Sequence, residues 1–105
     1  APVKSYPIVP VEGVTSEEGR SYIAVDPNTG YGFVRLEMTS TKDFADGAVI
    51  ANLPAESPAP QFTVNGLASK GSVWIPQDTR EVKHYGAATT GAKIQVTVPA
   101  FFKVS

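Results

Sequence analysis

The sequence contains no cysteine and a single histidine, His84, among its 105 residues. Without thiols there is no disulfide scaffold, no thiolate nucleophile and no zinc site with cysteine ligands. One histidine excludes a multi-histidine metal centre, and two-histidine catalysis, within one chain. No apolar run approaches the roughly 20 residues of a membrane-spanning helix, so membrane insertion is not expected. Nor is there an excess of charge of either sign. Nine Lys and Arg stand against ten Asp and Glu, for a formal net charge of -1. That balance argues against a nucleic-acid binder acting through bulk charge and against a basic membrane-surface module. No signal peptide is visible, and the chain opens at Ala1 without Met, which reads as an excised or processed domain.

What is present favours strands. Val, Ile and Thr total 27 residues (13, 5 and 9), whereas Leu and Met total four. Side chains branched at Cβ are stiff and suit a pleated surface. Nine Gly and nine Pro are spread along the chain, as many short strands and turns require. No stretch carries a sustained helical apolar stripe. The length fits one domain, and 42% hydrophobic with 18% charged residues fits a folded one.

Along the chain, residues 1–12 hold Pro2, Pro7 and Pro10 between apolar residues and predict an extended arm or an edge strand. Ser16-Glu17-Glu18-Gly19 is a polar turn. Strands are expected over 20–26 and 31–41, joined as a hairpin by the turn signal Pro27-Asn28-Thr29-Gly30. In the second of these, Val34, Leu36 and Met38 alternate with Arg35, Glu37 and Thr39, so one face is buried and the other wet. Further strands are expected over 48–53, over 61–66 with Phe62 and Val64 on one face, and over 71–76 with Val73 and Ile75 inward. Two more are expected over 80–85 and over 93–104, with Pro99 marking a bend or an edge. The sum is seven or eight short strands and no helix, an all-β antiparallel sandwich or barrel.

Catalytic signals are weak. No nucleophile motif surrounds any serine, and no phosphate-cradling glycine loop is present. Asp43 with Asp46, or Glu17 with Glu18, would be the carboxylate pairs for glycoside hydrolysis, but both sit in turn-like segments where carboxylates serve solvation and turn formation. A lone strand histidine such as His84 is ordinarily a hydrogen-bonding or surface residue. The informative cluster is aromatic and polar. If Val73, Ile75 and Val82 point inward, strand alternation brings Ser72 and Trp74 to the same surface as Glu81, Lys83 and Tyr85. An aromatic plane beside hydrogen-bonding groups suits a sugar, whose C–H face stacks on the ring while polar side chains read its hydroxyls. Burial in a subunit interface is also an ordinary use of outward Trp and Tyr, slightly ahead of sugar binding, and the two can coincide at a site between subunits.

The order of features from Ala48 onward is an apolar strand, Asn52-Leu53-Pro54, a loop with Pro58 and Pro60, then Gly71-Ser72-Val73-Trp74-Ile75. A turn, Glu81-Val82-Lys83-His84-Tyr85 and an aromatic-ended last strand follow. Over roughly the last 60 residues this order resembles the C-terminal receptor-binding head domain of phage tail and baseplate proteins, notably of lactococcal siphophages. The resemblance implies a trimeric β-barrel or sandwich similar to adenovirus fibre heads, carried on the virion. It implies attachment to host cell-wall saccharides without catalysis or cofactor. The ligand contacts would come from Ser72 and Trp74, from Lys83, His84 and Tyr85, and from Lys93 before the last strand. Residues 1–13 would be the arm to an upstream neck or shoulder domain, and 14–105 the head. The sequence departs from the family pattern in holding Ser72 and Trp74 where a His/Asp type of polar pair is usual. The competing expectations are a virion decoration or fibre-tip protein with no glycan ligand and, far behind, a carbohydrate-binding module or small glycosidase.

Overall fold

The computed structural model describes residues 3–104, so Ala1 and Pro2 of the expected arm lie outside the described residues. Among the described residues ten strands and no helix are found, and the strands form two antiparallel sheets. They are β1 (Lys4–Pro7), β2 (Val9–Pro10), β3 (Val14–Thr15), β4 (Tyr22–Val25), β5 (Tyr31–Ser40), β6 (Ala48–Asn52), β7 (Val64–Leu67), β8 (Ser72–Ile75), β9 (Glu81–Tyr85) and β10 (Lys93–Phe101). The first sheet runs β1-β4-β5-β10, with β3 also paired to β5. The second runs β2-β6-β9-β8-β7. The strand count exceeds expectation because β2 and β3 are two-residue pairings that leave little periodic signal.

The alternation of apolar residues builds the core between the sheets. Val34, Leu36 and Met38 of β5 face Val73, Ile75 and Val82 of the other layer, and all six are buried. Ile23, Ile50, Ile94 and Phe102 complete the centre with no exposed surface. The 26–30 turn closes the hairpin as its residue types require. The Gly30 amide donates to the Asp26 carbonyl at 2.8 Å, and the Asp26 carboxylate accepts from the Asn28 amide at 2.8 Å. Between Val49 and Ala51 the pairing of β6 with β9 slips by a residue, a bulge that leaves both Ile50 and Ala51 buried.

Both flanks of the sandwich are tied across. The first segment of the chain is an edge strand of each sheet in turn: β1 pairs with β4, buried Ile8 crosses over, and β2 pairs with β6. The Ile8 amide donates to Ser21 and the Val11 amide to Ile50, one bond to each layer. On the opposite flank the Ser69 amide donates to the Gln95 carbonyl at 2.9 Å, and the Gln61 amide to the Phe101 carbonyl at 2.8 Å. These links cover main-chain groups that open edges leave bare. Register also fixes the two poles. Lys4, Val25, Gly32 and Ala100 lie in one row across the first sheet, so the beginning of β1 and the end of β10 share a pole. Ser69, Lys93 and Thr39 mark the other.

The strand expected over 61–66, with Phe62 and Val64 on one face, is corrected by the structure. It begins only at Val64, and Phe62 is 58% exposed. Pro58 and Pro60 offer no amide for a ladder, and the Gln61 amide is drawn to Phe101 instead. The Phe62 ring therefore lies beside Phe101, with centroids 6.3 Å apart, outside the core.

Candidate functional site

The centre of the second sheet's outer face is set by two neighbouring strands. Ser72 lies opposite Tyr85, and Trp74 opposite Lys83. Because Val73, Ile75 and Val82 are buried, their strand neighbours must point outward. Trp74 and Tyr85 are accordingly 37% and 39% exposed. Their rings meet edge to face, centroids 5.5 Å apart at 68°, a favoured geometry for an aromatic pair. The indole N–H donates to the Ser72 hydroxyl at 3.2 Å, fixing the ring along the strand. Asn65 of β7 stands opposite Trp74, Leu67 opposite Ser72, and Val49 of β6 opposite Lys83. The platform thus has two rings flanked by a hydroxyl, an amide and an ammonium group, with exposed Leu67 at its margin. Its chemistry is stacking plus hydrogen bonding. Comparison with family models, with curated proteins and with solved structures finds no match to this chain.

Two of the residues expected at the site lie elsewhere. His84 is wholly buried, paired with Val73 on the inner side of the sheet. Its Nε2 lies 2.7 Å from the Lys70 carbonyl oxygen. A carbonyl only accepts, so Nε2 carries the proton, while Nδ1 has no partner among the described residues. His84 supports the platform from beneath by holding the loop before Ser72, and it does not reach a ligand on the outer face. The period of two already puts His84 on the side of Val82. Lys93 begins β10 in the other sheet, opposite Thr39. It lines a depression of about 430 Å³ with Glu17, Arg20, Glu37 and Gln95, on a different face from Trp74.

The carboxylates of Asp43 and Asp46 have structural occupations. The Asp46 carboxylate accepts from the Gly86 amide at 2.6 Å, and Asp43 accepts from both the amide and the hydroxyl of Thr90. Each staples the loop after β5 to the loop after β9. Among the described residues no three His, Asp or Glu side chains gather as a metal site would require.

Sequence reasoning missed a second aromatic surface, on the outer face of the first sheet. Tyr31 and Phe101 lie opposite each other with centroids 5.2 Å apart, 53% and 47% exposed. Farther in, Tyr22 meets Phe33 edge to face at 5.8 Å. The alternation of β5 already signals Phe33 as outward, but the convergence of these rings depends on pairing between β4, β5 and β10. Beyond them the face turns polar. Arg35 donates to the Glu37 carboxylate at 2.8 Å, which lowers the carboxyl's pKa and raises that of the guanidinium.

Proposed function

We propose that this chain is a non-catalytic adhesion domain of a phage tail or baseplate that attaches to host cell-wall saccharides through the Trp74 and Tyr85 platform. The observation that carries the reading is the convergence of these two exposed rings with Ser72 and Lys83 on one sheet face. Rings stack on the apolar face of a pyranose, and the flanking donors and acceptors read its hydroxyls. The order of motifs from Ala48 onward supports the virion assignment, with a homotrimeric, fibre-head-like assembly joined to a neck or shoulder domain. Single sites of this kind are weak, because sugar hydroxyls exchange water contacts for protein contacts with little net gain. Many copies on one virion supply avidity, with gains of roughly 10² to 10⁴ where the geometry allows simultaneous engagement.

Trp74→Ala is expected to weaken saccharide binding roughly tenfold, the loss of one central aromatic anchor, with the folded spectrum unchanged. Titration of purified host cell-wall saccharides by calorimetry measures it, with light scattering on the same samples. Unchanged affinity in the variant, or no binding by the parent protein, would overturn the platform. Loss of a trimer in the variant would make this face a subunit interface instead.

A further inference from the structure

The outer face of the first sheet combines the same two chemistries on a longer track. At one pole Tyr31 and Phe101 stand exposed side by side. Toward the other pole β5 and β10 present Arg35 opposite Thr97 and Glu37 opposite Gln95, and the track ends in the 430 Å³ depression. Its charges are largely compensated within the face: Glu37 takes Arg35 at 2.8 Å and Arg20 at 3.6 Å, and Arg20 also lies 3.8 Å from Glu17. Lys93 adds a cation only at the far end. A track of mostly paired ions, amide and hydroxyl groups offers a polyanion only the one further cation of Lys93, but it offers donors and acceptors along its length to a hydroxyl-rich ligand.

The dimensions also decide between occupants. The aromatic part covers three strands about 4.8 Å apart and about four residues of about 3.3 Å each, so a few hundred Å² at most. A stable protein partner needs about 800 Å² on each side. The patch is too small to hold a second copy of the chain by itself, whereas a flexible chain of sugar rings needs only successive ring-sized contacts.

We propose that this face is a second saccharide surface, which takes a glycan of little net charge laid along β5 and β10, its rings on Tyr31 and Phe101 and its hydroxyls on Arg35, Glu37, Gln95 and Thr97. The proposal rests on the reading of the chain as a glycan-binding domain, but its residues are separate from the Trp74 platform.

Amide spectra of ¹⁵N-labelled protein, titrated with cellotriose, maltotriose and triacetylchitotriose at millimolar concentration, test it. At least one of the three is expected to shift amides of β5 and β10, equally in the parent protein and in Trp74→Ala. The double variant Tyr31→Ala with Gln95→Ala, both at outward positions, is expected to lose that response at least tenfold while its remaining amides stay in place. Shifts confined to β8 and β9 would overturn the second surface and leave the Trp74 platform standing. Shifts on β5 and β10 alone would do the reverse. No shift on the first sheet with any of the three, or a response unchanged in the double variant, overturns the proposal. So does a fall in solution mass on Tyr31→Ala, which would give the face to subunit contact.

Discussion

Phe102→Ala is expected to cost about 3–5 kcal/mol, a large fraction of the ~5–15 kcal/mol that holds a domain of this size together. Phe102 is the largest of the side chains with no exposed surface, and it follows directly on the end of β10. Its amide donates to the Gly30 carbonyl at 2.7 Å, and it bridges to Pro60, so the ring closes the core where the first hairpin, the proline loop and the last strand converge. Removing the ring leaves a cavity bounded by backbone that these bonds hold in place, and such a site collapses poorly. The adjacent Phe101 is the control. It has the same side chain but is 47% exposed, so Phe101→Ala is expected to cost less than about 1 kcal/mol. Urea unfolding of the two variants reads the difference as a gap in midpoints. Equal midpoints would mean that Phe102 does not close the core.

The second large effect is expected at Gly71. This residue has φ +66°, and a Cβ there would overlap the carbonyl oxygen of Tyr85 and stand 2.9 Å from Nε2 of His84. Gly71→Ala therefore combines about 1 kcal/mol or more of left-handed backbone cost with a collision against main chain. A total of at least about 2–3 kcal/mol is expected, with the bond from His84 to Lys70 broken. Gly19 separates the two contributions, because it has φ +80° and a methyl group there would meet nothing within 4 Å. Gly19→Ala is expected to cost only about 1 kcal/mol. If thermal unfolding places the two alanine variants level, the close packing of Gly71 under the platform is not a constraint. The effect on the Trp74 platform follows from position: Gly71 directly precedes Ser72, the first residue of the strand that carries Trp74.

The parts of this fold legible in the sequence are those in which a single strand declares its own faces. The alternation through Val34, Leu36 and Met38 predicts their burial, and that of Val73, Ile75 and Val82 predicts which face Trp74, Lys83 and Tyr85 share. The same alternation puts His84 inside. Its place among the ligand contacts rests on likeness to a motif order, which carries no information about parity. What is illegible depends on contacts distant in the chain. Lys93 belongs to a different sheet from Trp74, and only the pairing of β10 with β5 decides that. Phe62 stands out because the Gln61 amide bonds to a residue forty positions away. The prolines of the opening segment signal an arm or an edge strand, and it is an edge strand; that its partners, β4 and β6, belong to different layers is what the prolines do not show.

The shared pole of β1 and β10 has a mechanical meaning. Tyr85, Ser72 and Leu67 lie toward the far pole, where the loop through Ser69 meets the beginning of β10. The long axis of the molecule is 40 Å. Were the chain held at Lys4 and the surface near Trp74 bound, as the proposed function has it, the two forces would oppose each other roughly along the strands. In that direction the four residue pairs of β1 with β4 slide past one another together instead of opening singly from one end. The nine pairs of β10 with β5 would be loaded in the same sense by a force applied at Phe101. Bonds loaded side by side share the force, so the domain resists stretching along its axis far better than it would resist having its two chain ends drawn apart across the pole.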